Sequence, residues 1–139
     1  MFDTAFFEMF SRTPWYYIPI CFSPLMYYHY AKMEASMLVN TFFIILGVII
    51  WSLSEYGLHR FVFHGEDTWM KKIPLSGTFY AFHFMIHGIH HAFPQDAMRL
   101  VFPPLLGHGL YLLIFRAPFE LFVPEICRYS ILLGILIGY

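Results

Sequence analysis

Six of the eight histidines lie in two clusters, and imidazoles at that density indicate metal chemistry. The six are His59, His64, His83, His87, His90 and His91. A lone histidine on an apolar helix is usually a hydrogen-bonded core residue, but packing alone rarely sets adjacent imidazoles beside a third. Neutral imidazole is also the commonest protein ligand for transition metals. We therefore interpret five of the six as metal ligands: His59, His64, His87, His90 and His91.

The spacing of the histidines predicts how they converge. Residues three and four apart share one face of an α-helix, so the second cluster lines a single helix face. A five-residue step rotates by about 140°, so an unbroken α-helix would point His59 and His64 apart. We expect that helix to end near His64, with Gly65 as its C-cap. His83 either binds metal directly or orients a ligand through a hydrogen bond, and Glu55 is a second candidate for such an orienting role.

Apolar segments must position these clusters. Residues 37–53 form a nearly continuous apolar stretch of about 17 residues, the lower limit for crossing a bilayer, and its helix is expected to run on to His59. Residues 15–30 suggest a first span, and residues 126–139 begin another that is too short to cross a bilayer. Residues 105–115 are apolar but short, and a polar break follows, surrounded by the charged residues Arg116, Glu120, Glu125 and Arg128. His29 is expected at the membrane interface. His108 suits either a functional role or a hydrogen bond between helices.

The second histidine cluster has recognisable boundaries. Ser76 or Thr78 is a candidate N-cap, and Pro94 disfavours helix at the residue before it, so the helix should end just after His91. Residues 94–104 read as an ordered loop that re-enters the membrane. Asp96 and Arg99 can pair across a turn there, as a structural ion pair or in contact with substrate.

Composition indicates lipid as the solvent. The chain has 139 residues, of which 59% are hydrophobic, 22% aromatic and only 12% charged, and so short a chain cannot bury that much apolar surface within itself. A net charge of −1 provides no basic field for nucleic acid. The basic residues Arg60, Lys71, Lys72 and Arg99 lie on the histidine side, which the positive-inside bias makes cytosolic.

Three motifs carry a resemblance to a known family. They are Glu-Tyr-x-x-His-Arg-Phe-x-Phe-His from Glu55, His-Gly-x-His-His from His87, and Pro-x-Asp-x-x-Arg-Leu-Val-Phe-Pro-Pro from Pro94. With the entry Ser-Arg-Thr-Pro-Trp-Tyr-Tyr-Ile-Pro from Ser11, they resemble the fatty acid 2-hydroxylase branch of the fatty acid hydroxylase and sterol desaturase superfamily. The histidine pattern is typical of the superfamily, and the Arg-Leu-Val-Phe-Pro-Pro tail favours the 2-hydroxylase branch.

The resemblance implies a fold, a site and partners. The fold would be an all-α integral membrane protein, with transmembrane helical hairpins and a cytosolic, histidine-rich helical cap in the endoplasmic reticulum. The cap would hold two metal ions, iron or zinc, on His59, His64, His87, His90 and His91; His83 is not part of the family motif. Such enzymes use O2 and electrons from cytochrome b5 and its reductase to hydroxylate C2 of a long fatty acyl chain for sphingolipid synthesis.

Two features of the family pattern are missing from the sequence. Family members carry a second histidine set, and none follows His108; many also carry an N-terminal cytochrome b5-like domain. We therefore expect residues 1–139 to form a single hydroxylase-type membrane domain that is incomplete at its C-terminus and inactive alone. The alternatives are a sterol or C4-methyl oxidase or desaturase with the same ligands, and a non-catalytic metal-binding membrane protein.

Overall fold

Five helices make up most of the regular structure in the described part of the chain. The computed structural model describes residue 8 and residues 11–139, and this part of the chain contains no β-strand. Helix α1 is Tyr17–Ala31 and helix α2 is Met37–Gly57, prolonged by a π-helical turn at Leu58–Phe63. Helix α3 runs through Gly77–His83, a π-turn at Phe84–Gly88, and Ile89–Ala92. Helix α4 runs through Pro104–Leu110, a π-turn at Tyr111–Arg116, and Ala117–Phe122, and helix α5 is Glu125–Gly138. The all-α expectation is confirmed.

Two of these helices are long and apolar enough to cross a membrane. They are α2 with its π-turn, Met37–Phe63, at 27 residues, and α4, Pro104–Phe122, at 19 residues. Only 6% of the most apolar window of the first is buried against protein, which is unlike the core helix of a soluble domain. Helices α1 and α5 have 15 and 14 residues, below the length of a full span.

Helix α4 is longer than the sequence suggests. We expected the apolar segment to end at Phe115, but the helix continues through Arg116 to Phe122. The predicted polar break comes later, at Val123 and Pro124. The guanidinium of Arg116 donates from Nε to Glu120 Oε1 at 2.8 Å, one helical turn further on. The charge of Arg116 is therefore paired within the helix, and this i,i+4 pair stabilises the helical backbone at that position.

The chain divides into two compact units. One comprises the described part of residues 1–18 together with Leu58–Gly107, and it contains both histidine clusters. The other comprises Pro19–Gly57 and His108–Tyr139, and it contains most of the apolar helices.

In the second unit, α2 and α5 meet at two glycines. A Cβ atom added to Gly47 would lie 2.2 Å from the carbonyl oxygen of Ile131, and one added to Gly134 would lie 2.1 Å from that of Ile44. Only residues without a side chain allow this backbone approach, as in many membrane helix pairs. Ser130 Oγ donates to Asn40 Oδ1 at 2.7 Å beside the crossing, so a buried polar contact fixes the same interface.

The first unit confirms two predicted boundaries and corrects a third. Ser76 caps α3, since its Oγ accepts from the Phe79 backbone N–H at 3.2 Å, and α3 ends at Ala92. Gly65 is not a left-handed C-cap, because no described residue has a positive φ. Instead Gly65 begins a 3₁₀ turn and lies so close to Trp69 that a Cβ would be 2.3 Å from the indole nitrogen.

Candidate metal centre

A π-helical turn brings His59 and His64 together. The backbone N–H of His64 donates to the carbonyl of His59 at 3.0 Å, which is the five-residue hydrogen bond of a π-helix. That bond stacks side chains five residues apart, whereas an α-helix would separate them. The two rings lie 4.8 Å apart between centroids, with an interplanar angle of 27°. We expected the helix end to produce this convergence, but the change of helix type within Leu58–Phe63 produces it.

A second π-turn lies among the histidines of α3. His87 lies inside Phe84–Gly88, and His91 follows it by four residues on the short α-helical end of α3. Their Nε2 atoms are 3.2 Å apart. One imidazole of each pair, His59 or His87, thus lies in a π-helical turn. Such turns recur at functional sites because they reorient side chains within an otherwise regular helix.

Four imidazoles gather into one group with the dimensions of a metal site. The group is His59, His64, His87 and His91, and one ring nitrogen from each lies within 4.8 Å of all the others. The Nε2 atoms of His59 and His64 are 3.0 Å apart. Nitrogens on a tetrahedral metal with bonds of 2.0–2.1 Å would be about 3.3 Å apart. The donor set and spacing therefore fit one transition metal ion.

Burial keeps the centre of this group uncharged. His87 has 2% of its surface exposed, and burial, followed by the neighbouring imidazoles of His90, His64, His91 and His59, lowers the pKa of His87 to about 3. Burial, followed by the imidazoles of His91, His59 and His64, also lowers the pKa of His90. A metal must displace protons from its ligands, so imidazoles that are neutral at physiological pH are ready to bind one.

The remaining two histidines of the clusters border the group. The ring of His90 lies 4.4 Å from that of His91 and 6.1 Å from that of His59, between centroids. His83 is buried, and its Nε2 lies 2.7 Å from the carbonyl oxygen of Phe63. Glu55 is exposed on α2 and belongs to the other compact unit.

Asp96 and Arg99 form the pair that the sequence suggests, within a larger cluster. Arg99 Nε donates to Asp96 Oδ2 at 2.8 Å, and a second guanidinium nitrogen pairs with Glu8. The Met98 backbone N–H and then Arg99 hold the pKa of Asp96 below its usual range. Thr13 donates its backbone N–H to the Met98 carbonyl at 2.6 Å. This cluster ties Glu8 and Thr13 to the loop that follows α3.

Phe63 was not anticipated from the sequence. Its ring stacks on His87 at 5.0 Å and 23°, and its carbonyl faces His83. An aromatic residue among 17 phenylalanines carries no signal of its own, and a backbone contact has no sequence signature. Only its position directly before His64 could have drawn attention to it.

His29, which we expected at the membrane interface, packs against other helices. It is fully buried, and its Nε2 lies 2.5 Å from the hydroxyl of Tyr111 in α4. His108, for which the sequence left two roles open, stacks on Phe22, with the two ring centroids 4.0 Å apart. Both residues therefore contribute to helix packing in the second unit.

Comparison with known proteins agrees with this site. The chain is 39% identical over 136 residues to the ceramide very long chain fatty acid hydroxylase SCS7 of Saccharomyces cerevisiae, covering 96% of this chain and 34% of that protein. It is 34% identical over 162 residues to the human fatty acid 2-hydroxylase, covering 100% of this chain and 41% of that protein. No protein-family model matches the chain.

A solved structure matches as well. A structure described as full-length scs7p with only the hydroxylase domain visible superposes with a TM-score of 0.83 at 36% identity, covering 96% of this chain and 50% of that one. The chain thus spans about a third to a half of the length of these proteins. The resemblance inferred from the histidine and Arg-Leu-Val-Phe-Pro-Pro motifs is confirmed: this chain is homologous to part of the hydroxylase domain of the fatty acid 2-hydroxylases.

Proposed function

We propose that this chain forms part of a membrane fatty acid 2-hydroxylase that acts on long-chain acyl groups for sphingolipid synthesis. The observation that carries the proposal is the group of four imidazoles with ring nitrogens within 4.8 Å of one another. Homology to a ceramide very long chain fatty acid hydroxylase and to fatty acid 2-hydroxylases supports the reaction class.

The reaction requires a redox metal. Converting a C–H bond at C2 of an acyl chain to a hydroxyl is an oxidation, which acids and bases alone do not perform, so a bound metal would supply the activation of O2. One oxygen atom enters the C–H bond and the other leaves as water, which consumes two electrons and two protons. Among the metals that imidazole accommodates, iron suits this chemistry, and zinc can occupy the same ligands.

Different histidines of this chain would bind the two ions of a dimetal centre. His59, His64, His87 and His91 would hold one ion, since their nitrogens lie close enough for a single ion. His90 would contribute to a second ion, since its ring adjoins the group without belonging to it. Phe63 packs flat against His87 and shields its buried ring from water, which preserves the neutral state that a ligand needs.

The cellular setting follows from the same proposal. The enzyme would lie in the endoplasmic reticulum membrane with its histidines on the cytosolic side and receive electrons from cytochrome b5 and its reductase. The two membrane-length helices support residence in a bilayer. Arg60 and Lys71 lie in the unit that holds the histidines, which supports a cytosolic position.

A direct test measures the product. The full chain, and the whole protein that contains it, would be purified in detergent, loaded with iron, and supplied with a long-chain ceramide, cytochrome b5, its reductase, NADH and isotopically labelled O2. Mass spectrometry should find one labelled oxygen at C2 of the acyl chain from the whole protein. A His87→Gln form of the same protein should bind less metal and make no product.

Other outcomes would select the alternatives. Oxidised sterols in place of 2-hydroxy acids would favour a sterol or C4-methyl oxidase or desaturase. Stoichiometric metal in the whole protein, with no oxidation of either lipid class, would contradict an enzyme and favour a metal-binding membrane protein.

A further inference from the structure

His83 connects the two histidine segments through the protein backbone. It lies on α3 directly before the π-turn that carries His87, and its Nε2 is 2.7 Å from the carbonyl oxygen of Phe63. Phe63 is the last residue of the π-turn that carries His59 and immediately precedes His64. The contact therefore joins α3 to the segment that supplies the other two imidazoles.

The partner atom fixes the tautomer of His83. A backbone carbonyl has no proton to give, so Nε2 must carry the hydrogen and donate it. A protonated ring nitrogen has no lone pair for a metal, which removes Nε2 of His83 from the set of possible ligands. In the part of the chain that the structure describes, the four-imidazole group does not include His83.

The surroundings of the His83 ring suit a donor held in one orientation. The residue is 7% exposed, and its ring is nearly parallel to that of Phe79, at 6.4 Å and 11°. Glu66 Oε1 is 3.9 Å from His83 Nε2, beyond hydrogen-bond range. The Phe63 carbonyl is therefore the partner that holds the ring in place.

We propose that His83 is a positioning residue, which sets the spacing between the His59/His64 pair and the His87/His91 pair by donating a hydrogen bond from Nε2 to the Phe63 carbonyl. The inference rests on the proposed metal site and deepens it. Loss of the bond would leave the Phe63 carbonyl unsatisfied and would let the π-turn move away from α3. The four nitrogens would then lose the geometry that one ion requires.

The test uses cobalt(II) as a spectroscopic probe of the full chain in detergent micelles, with affinity and visible absorption as readouts. In His83→Gln, the side-chain amide nitrogen reaches about as far as Nε2 and can donate to the Phe63 carbonyl. In His83→Asn, the amide is equally polar but one methylene too short. Glu66→Gln is the matched control for the nearby carboxylate.

We expect His83→Asn to bind cobalt about 10–100-fold more weakly, the usual effect of removing a group that orients a ligand. His83→Gln and Glu66→Gln should bind within about threefold of the unchanged chain and keep its spectrum. The Asn and Gln side chains differ only in length. If both variants fail to fold, circular dichroism will show it, and that result would contradict the claim that Gln can replace the hydrogen bond of His83.

Three results would overturn the inference. Equal affinity of the Asn and Gln variants would show that the bond to Phe63 does not position the site. A spectrum that loses one nitrogen ligand in both variants would make His83 a ligand. If Glu66→Gln alone weakens binding, the carboxylate and not the carbonyl is the partner. By contrast, an unchanged chain that binds no cobalt would contradict the proposed metal site itself.

Discussion

At the scale of single residues, the chemistry of the site depends on keeping imidazoles neutral while they crowd together. His87 sits at the centre, with the rings of His59, His64 and His91 each 4.8 Å away between centroids. Several positive charges at such distances would repel one another strongly in a partly buried site. Burial and the neighbouring imidazoles both favour the neutral form of His87, which is the form that binds metal.

One prediction concerns the acid sensitivity of the metal-free chain. In the unfolded chain His87 takes up a proton with the ordinary pKa of 6.5, whereas the folded chain resists protonation until about 3. The unfolded state therefore binds more protons between these values, and stability should be complete above about pH 6.5 and fall as the pH drops towards 3. Thermal unfolding in detergent with a chelator, from pH 7.5 to 4, measures this. His87→Phe, which keeps an aromatic ring but cannot take up a proton, should lose less stability as the pH falls. If both proteins show the same dependence of stability on pH, His87 is not the group responsible.

A second prediction separates the four grouped histidines from His90. His64→Gln should lower the affinity for the first metal ion by about 100-fold or more, at least the effect of losing an orienting partner. His90→Gln should leave that affinity within a few-fold, because His90 lies outside the four-nitrogen group. Isothermal titration calorimetry with zinc measures the affinity of each variant. If the two variants lose affinity equally, His90 binds the first ion too.

At the scale of elements, π-turns and glycines do the positioning. The turns at Leu58–Phe63 and Phe84–Gly88 aim the histidines, and a third precedes Pro118 in α4. Pro118 cannot donate a backbone hydrogen bond, and the π-turn before it accommodates the proline within the helix. The Gly47–Gly134 crossing brings α2 and α5 within backbone contact, so one methyl group at either site would force the helices apart.

A third prediction follows from that crossing. Gly47→Ala and Gly134→Ala should each destabilise the folded chain by roughly 1–3 kcal/mol, the usual cost of overpacking. Gly109→Ala is the matched control, because a Cβ there meets nothing within 4 Å, and alanine favours a helix interior. Thermal unfolding of the three variants in one detergent provides the comparison. A loss in Gly109→Ala as large as in the other two would mean that the crossing has no special role.

At the scale of the whole molecule, metal binding and folding should be coupled. The four imidazoles come from two segments separated in sequence, and the unfolded chain cannot hold them together. A metal that binds only the folded form stabilises it by mass action.

A fourth prediction follows from this coupling. Free metal at 100 times its dissociation constant should stabilise the folded chain by about 2.7 kcal/mol, which raises the unfolding temperature by on the order of 10 °C. Differential scanning calorimetry with zinc, and then with a chelator, measures the shift. His87→Phe should show little of it. An equal shift in this variant would place the bound metal elsewhere.

Much of this molecule is determined by local sequence. The apolar stretch after residue 37, the Ser76 cap and the stop before Pro94 each depend on residues within a few positions of one another, so their helices and boundaries are predictable. The histidine clusters indicate a metal site and the family resemblance for the same reason, because the candidate ligands and their spacing lie within two short motifs.

Tertiary structure decided what depends on distant residues or on small changes of backbone geometry. No residue propensity distinguishes a π-turn from an α-helix. The prediction that His59 and His64 converge was therefore right, but the helix end that was expected to cause it was wrong. Gly47 and Gly134 lie far apart in the chain, and their contact exists only once two helices pack. The bond from His83 to the Phe63 carbonyl involves a backbone atom that every residue has, so only the folded chain could show which one is used.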